Sequence, residues 1–410
     1  MYKTRQRSNV KGQILAFASG LMLMASVAPA QTLPSGPLSF GDGRVTVAAD
    51  LSLTASTPDD RGAWFNYTDY EHNVLRLIRF GVSASVRITD RVALLGEVRS
   101  ENGNTFKPYA GYVRVRPWKN RAFDIQAGRI PPIFGAFARR AYAADHPLIG
   151  YPLAYQYLTA LRPDAIPATA GDLLRMRGRG WLTSYPLGQL TPDRGMPLVT
   201  AFRWDTGVEV RAGSGPLKVS AAVTNGTLSD PRARDNNGGK QISSRVEWRP
   251  AAGFIFGASG AHGAYLADSV KPFTVGRGPV PSAAGRQQAV GIDVEYSRDQ
   301  WLARGEVIRS QWGVPTLSFS PSALGMFAEA RYKIWPGLFV AGRVDRLTFS
   351  SVRSDDRTLT WDAPVSRFEG GLGFYLQRNL LIKGAYQRNW RDGGRVRDRG
   401  TGALQLQFWL

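Results

Sequence analysis

From about residue 43 onward, apolar and polar side chains trade places with period two, in runs of eight to twelve residues broken by turns. The clearest run sets Ile78, Phe80, Val82, Ala84, Val86 and Ile88 against Arg79, Gly81, Ser83, Ser85 and Arg87. Successive side chains of a β-strand point to opposite faces, so such a run is apolar on one side and wet on the other. The pattern recurs along the chain with charge on the polar side, which predicts an all-β fold: a transmembrane antiparallel β-barrel of about 16–18 strands, lipid outside and water inside.

Candidate strands cover 43–53, 74–88, 91–99, 108–116, 122–130, 172–184, 198–205, 207–212, 217–224 and 240–249. They continue as 253–263, 288–297, 300–309, 324–335, 337–347, 366–376, 380–389 and 401–410. The pieces 198–205 and 207–212 are the weakest and read equally as one hairpin or a loop. Connections alternate between short (near 89–90, 117–121, 213–216, 250–252, 298–299, 336, 377–379) and long (near 100–107, 131–171, 225–239, 264–287, 310–323, 348–365, 390–400). Short periplasmic turns and long external loops are the asymmetry of outer-membrane barrels, and they put both ends of the chain on the periplasmic side.

The first thirty residues read as a cleaved secretory signal: basic Lys3, Arg5, Arg7 and Lys11, an apolar stretch over 14–27 too short to span a bilayer, and Ala28-Pro29-Ala30 before Gln31. The barrel is then 31–410, exported to the outer membrane. Cysteine is absent, which excludes disulfides, thiolate metal sites and a lipidated cysteine. A closed sheet supplies the missing stability, because every strand is paired and lipid covers the outer face. The formal charge of +20 does not point to nucleic acid, since the arginines sit at alternate strand positions and not in one block.

Trp118, Trp248, Trp301 and Trp335 each stand beside an expected short turn, and Trp409 belongs to the same level. Amphipathic rings collect at membrane–water interfaces, so these read as a girdle. The final ALQLQFWL alternates Leu404, Leu406, Phe408 and Leu410 with Gln405, Gln407 and Trp409. It resembles the terminal strand by which barrel-assembly machinery recognises its clients, with Phe408 two positions earlier than usual.

The inward positions carry charge of both signs. They are Arg79, Arg87, Glu97, Arg99, Arg114, Arg116, Asp124, Glu209, Arg211, Arg245, Glu247 and Arg249, then Asp293, Glu295, Arg304, Glu306, Glu329, Arg331, Lys333, Arg343, Asp345, Arg367, Glu369 and Lys383. A charge facing hydrocarbon at mid-depth costs about 2–4 kcal/mol in barrels, so these must face water or one another. The basic members are candidate pore-lining residues, because rings of Arg or Lys favour anions; the other reading is a set of cross-strand ion pairs that brace the wall. Arg175, Arg177 and Arg179 would share one strand face as a ladder about 13 Å long at ~3.3 Å per residue. Guanidinium groups at that spacing could hand an anion from donor to donor; a basic loop flank is the alternative.

The insert 131–171 is long, aromatic and punctuated by proline. Loops of that length are functional or disordered, and this one is too apolar for disorder. It is expected to fold into the lumen as a constriction lined by Arg139, Arg140, Asp145, Arg162 and Asp164, or else to form an external cap or trimer contact. Enzymatic readings find little support. The three histidines, His72, His146 and His262, fall in or near expected loops without metal-ligand spacing. No Gly-x-Ser-x-Gly elbow exists, and Ser259 with His262 is the single Ser–His pair close enough to consider for an outer-wall phospholipase.

The run GRIPPIFG (128–135), with VTNG (223–226) and DNNGGKQISSRVEW (235–248), resembles the phosphate- or anion-selective porin group. The first is similar to the Gly-x-x-x-x-Pro-Phe-Gly run where the strand enters the inner loop of those porins; the others are similar to their Asn-Gly loop and the basic strand returning from it. The resemblance covers about a tenth of the chain and implies a trimeric barrel with an arginine ladder guiding anions. This chain has Pro-Ile-Phe-Gly at the junction and lacks a lysine cluster at the constriction. The expected function is a passive outer-membrane porin for small hydrophilic solutes with anion preference, without cofactor or metal. A structural or assembly barrel with a plugged lumen is the alternative, and a membrane enzyme a weaker one.

Overall fold

A computed structural model describes residues 36–58, 63–138, 142–273, 285–354 and 357–410. The expected signal segment and the constriction candidates Arg139 and Arg140 lie outside the described residues. Sixteen antiparallel strands close into one barrel. In chain order they are β1 (Val45–Ser56), β2 (Ile78–Arg87), β3 (Val92–Glu101), β4 (Lys107–Val115), β5 (Ala122–Ile130), β6 (Asp205–Ser214), β7 (Leu217–Thr224) and β8 (Gln241–Trp248). They continue as β9 (Phe254–Ala264), β10 (Arg286–Arg298), β11 (Trp301–Trp312), β12 (Ser322–Trp335), β13 (Leu338–Phe349), β14 (Val365–Gln377), β15 (Leu380–Arg391) and β16 (Asp398–Trp409).

Each strand pairs with its sequence neighbours, and β16 closes on β1 from Asp50↔Trp409 to Ser56↔Ala403. The short strand Leu38–Phe40 continues that seam against residues Val45 to Val47. Closure leaves no long unpaired edge in the wall, which is what a sheet needs where no water can satisfy its backbone.

The alternation decides which side faces out. Ile242, Val290, Ile292 and Leu404 remain 61–64% exposed, and each neighbours further exposed apolar positions around the circumference. An apolar belt of that extent is covered by lipid, not water. No helix among the described residues is long and apolar enough to cross a membrane. Trp118, Trp248, Trp301 and Trp335 project, exposed, at the end of the barrel with the short turns, as a girdle would. The tightest turns there use left-handed backbone at Asp299 (φ 53°) and Gly337 (φ 89°), the geometry that matches the twist of flanking strands.

Two expected strands are absent. Residues 172–184 and 198–205 belong to the insert, which therefore runs over 131–204 and not 131–171. Its two ends meet, since β5 and β6 pair directly with Ile130 opposite Asp205. The reason is local: Thr169 and Asp172 form a capping box that starts the helix Ala170–Arg175, and this capping outcompetes a strand in a sequence that alternates only briefly. The main hydrophobic cluster joins this insert and the long loops, with Phe134, Phe137, Tyr155, Leu161 and Trp361, to strand residues such as Ile308, Leu347 and Val365.

Candidate functional site

The inner wall of β10 to β15 carries a row of opposed charges. Glu295, Arg304, Glu329, Arg343, Glu369 and Gln387 stand directly opposite one another on six successive strands. Arg304 lies 3.1 Å from Glu295 and 3.8 Å from Glu329. Arg343 reaches Glu329 at 3.3 Å, Asp345 at 3.0 Å and Glu369 at 2.7 Å. Opposite charges directly across a ladder attract, and here each guanidinium is shared between carboxylates. On this arc the cross-strand bracing expected from sequence is what the side chains form.

The same charges hold the insert inside the barrel. Glu369 accepts the amides of Ile149 (3.2 Å) and Gly150 (2.7 Å), and Asp345 accepts Leu153 (3.2 Å). Glu306 accepts the Tyr155 hydroxyl at 2.8 Å and the Ala136 amide at 3.1 Å. Lys383 donates to the carbonyls of Ala143 (2.8 Å), His146 (3.0 Å) and Leu148 (3.4 Å). Arg367 donates to Tyr151 O at 2.8 Å, and Arg79 to the Tyr151 hydroxyl at 3.2 Å. Irregular backbone within a membrane barrel must have its polar groups satisfied by protein or water, and the charged wall does this. Gly135, at the end of GRIPPIFG, sits at φ 71°, and a Cβ there would lie 2.3 Å from the Tyr155 hydroxyl oxygen and 2.4 Å from Glu306. Only glycine fits that corner.

The opposite arc is different. At the short-turn end, β1 to β8 surround a cavity of about 1220 Å³ lined by eleven arginines and lysines and three carboxylates. Arg87, Arg114, Arg116 and Arg245, all expected at inward positions, line it. Arg44, Arg91, Arg121 and Lys218 line it too and were not anticipated; the first three flank or occupy turns, while Lys218 alternates with outward Val219 and was legible. Some of this charge is neutralised: Arg211 by Glu209 (2.6 Å), Arg249 by Glu247 (2.7 Å) and Arg245 by Asp293 (2.8 Å). Arg44, Arg87, Arg91, Arg114 and Arg116 have no carboxylate partner among the described residues.

Toward the long-loop end the lumen narrows. A pocket of about 30 Å³ between Ile130, Pro131, Ala222 and Ser243 shares Pro131 with the vestibule. It shares Thr200, Arg203 and Pro231 with an outer cavity of about 350 Å³.

No protein-family model matches this chain, and no curated protein sequence does. Solved structures do match. OmpT, an outer membrane protein of Vibrio cholerae, superposes with TM-score 0.54 at 12% identity, over 93% of this chain and 100% of that one, and has also been solved in a trimer form. An anion-selective porin from Comamonas acidovorans gives 0.55 at 8% identity, over 89% and 99%. Salmonella typhi OmpF in complex with daunomycin gives 0.54 at 10%, over 89% and 97%. The fold is the porin barrel.

Within that porin barrel several expected site residues are placed elsewhere. Arg175, Arg177 and Arg179 form no strand ladder: Arg175 pairs with Asp172 at 2.9 Å at the end of its helix, Arg177 with Asp392 at 2.9 Å, and Arg179 is exposed. Gly178 between them is held by Asp362, which accepts its amide at 2.7 Å. Burial raises the Asp362 carboxyl to about 6, although the amides of Gly178, Ala363 and Ala160 oppose the shift. Arg162 does not line a constriction: its side chain is fully buried, bonded to Asp164 at 2.9 Å and to the carbonyls of Thr183 and Thr191. Its partner Asp164 borders the outer cavity, and Asp145 offers its carbonyl to Arg304 at 2.9 Å. Arg99 is buried with Glu97, its guanidinium 3.4 Å over the Tyr109 ring. Arg331 lies 5.6 Å from the Phe339 ring, and Lys333 is exposed near the short-turn end. Ser259 faces the lumen, where it bonds Arg245 and the Gly135 amide, whereas His262 faces outward beside Arg286. The two are on opposite faces of β9, so they form no Ser–His pair.

Proposed function

We propose that this chain is an outer-membrane porin: a passive diffusion channel for small hydrophilic solutes, with a preference for anions. The observation that carries this reading is the vestibule, with eleven basic and three acidic lining residues and five arginines unpaired by carboxylates among the described residues. Unpaired cations in a recess with low-dielectric walls focus the field and concentrate anions there. The route this reading assigns runs from the vestibule past Pro131, along the wall of β5 to β8, to the outer cavity near Arg203.

The same reading takes 1–30 as a cleaved export signal, the last strand as the segment recognised by barrel-assembly machinery, outer-membrane lipid as the solvent of the apolar belt and a homotrimer as the assembly. The test is flux from proteoliposomes loaded with equal-sized neutral and anionic solutes. Faster anion release supports the proposal, and equal or slower anion release overturns the selectivity.

A second reading is favoured by the number of wall groups clamping the insert: a structural barrel whose lumen is plugged. It requires that no conductance appear in planar bilayers, even after deletion of 135–165. Stable unitary currents from the intact chain exclude it.

A further inference from the structure

Four aromatic side chains meet at the long-loop end of the barrel, where the loop 57–77 touches the insert. Trp64 is their hub: its ring lies parallel to Trp181 at 5.2 Å, tilted against Tyr67 at 4.3 Å and edge-on to Tyr70 at 5.9 Å. None of the four is buried, and Tyr70 is 44% exposed. Trp64 sits at φ 53°, a left-handed conformation that residues with a large side chain rarely adopt. The barrel wall imposes it. Arg391 donates to the Ala63 carbonyl at 3.2 Å and Arg367 to the Phe65 carbonyl at 2.8 Å, so both neighbours of Trp64 are fixed from β15 and β14. The rest of the loop is fixed by its own backbone: the Val74 amide donates to Asn66 O and the Thr68 amide to His72 O, both at 3.0 Å. Strain of this kind persists where the surroundings over-determine it, and it gathers at ligand clamps. Rings fixed before a ligand arrives lose little freedom on binding.

The rings border the outer cavity of about 350 Å³. Thr68 and Asp69, which separate Tyr67 from Tyr70, line that cavity, and so do Asp193 and Arg194 of the insert. Arg194 ties the two segments together by donating to the Thr68 carbonyl at 3.0 Å. Among the described residues the cavity is lined by four carboxylates and three guanidinium groups, with hydroxyl and amide side chains between them. Each class of small solute can be weighed against this pairing of open rings with a polar chamber. A wholly apolar ligand would leave the polar groups unanswered. A small inorganic anion uses none of the ring surface. A quaternary cation suits the rings and the carboxylates but meets Arg194 and Arg203 beside them. A pyranose ring satisfies both halves. Its C–H face stacks on an aromatic ring, while its hydroxyl rim donates to carboxylates and accepts from guanidinium groups.

We propose that the Trp64–Trp181 platform and the adjoining outer cavity form a saccharide-binding site at the long-loop end of the barrel. The site goes beyond the channel reading, because binding there requires neither conduction nor anion preference. The test uses the folded full-length protein in a detergent without a sugar headgroup. Cellobiose, maltose and N,N′-diacetylchitobiose are the probes, and sorbitol and choline the comparisons, read by titration calorimetry and saturation-transfer NMR. At least one disaccharide should bind about tenfold more tightly than sorbitol, which has the hydroxyls without the ring, and choline should not bind. Saturation should pass from aromatic protons to the C–H protons of one sugar face. W181A should weaken binding by about three- to tenfold and W181F by less than about twofold, because stacking needs a ring and not this particular one. The zero-current potential of the pore should be the same in both. If W181A does not fold, Y70A, at a more exposed ring, should weaken binding in its place. Failure of all three disaccharides to bind, sorbitol or choline binding as tightly, or undiminished affinity in the folded alanine variants overturns the proposal.

Discussion

The Tyr155 hydroxyl donates to the Glu306 carboxylate at 2.8 Å, joining the middle of the insert to the inner wall of β11 across 151 residues of sequence. Both residues are almost fully buried. Loss of one partner leaves a buried polar group short of a hydrogen bond, which costs about 1–3 kcal/mol. Tyr155→Phe should therefore loosen the insert without unfolding the wall: amide exchange in 131–160 should accelerate while β11 and β12 stay protected. Unchanged exchange in the insert would contradict this role for the pair.

Arg343 is the hub of the charged row, with three carboxylates within 3.3 Å. Removal of one partner from a buried charged network is worth roughly 3–5 kcal/mol. Arg343→Met should lower the unfolding free energy in urea by about that amount, with Arg343→Lys intermediate because a compact ammonium cannot serve three acceptors in the same plane. A loss below about 1 kcal/mol would mean that water, not the guanidinium, satisfies Glu369 and Asp345.

Selectivity should reside in the vestibule and not in the 175–179 run. Replacing Arg87, Arg114 and Arg116 with glutamine should reduce the chloride-to-potassium permeability ratio, while the same change at Arg175, Arg177 and Arg179 should leave it unaltered. The effect should be large at about 0.1 M salt, where the screening length is about 10 Å, and small at about 1 M, where it is about 3 Å. The reverse ranking of the two triple variants would place the filter in the wrong half of the molecule.

The Asp69–His72 pair in the loop 57–77 gives a pH dependence of definite sign. Burial alone would raise Asp69, but the hydrogen bond and charge of His72 and the amides of Glu71 and His72 hold it at about 2. The Asp69 hydrogen bond raises His72 above 6.5, against its burial. The aspartate contribution is present above 3.8 and lost as pH falls toward 2; the histidine contribution is complete below 6.5 and lost as pH rises through the folded value. Glu101, 3.8 Å from the His72 ring, faces the pair from β3 and favours the protonated imidazole. Protection of the Glu71 and His72 amides should peak between 3.8 and 6.5, and Asp69→Asn should flatten the profile. Protection that rises above neutral pH would contradict the assignment.

The wall of the barrel was legible because period two is a local signal: Val82, Leu94 and Val246 announce an outward face from within their own strands. The insert was not, because its structure depends on partners far away in sequence. Glu369 lies 219 residues from the Gly150 amide it accepts, and no spacing in the insert points to it. Arg162 looked like a pore residue and is instead buried against Asp164, Thr183 and Thr191, since a charged side chain in an apolar insert is as useful for satisfying carbonyls as for meeting solute. The helix at Ala170–Arg175 did have a local signal, the Thr169-x-x-Asp172 box, which a strand reading of 172–184 passed over. The vestibule was half visible: Arg87, Arg114 and Arg116 follow the alternation, whereas Arg91 and Arg121 sit in turns, where residues obey no periodicity.

The most direct test of an anion-preferring channel is the zero-current potential of the purified chain in a planar bilayer, read across a tenfold potassium chloride gradient. Chloride should prove more permeant than potassium. Potassium preference, or a bilayer that stays silent, would contradict the account.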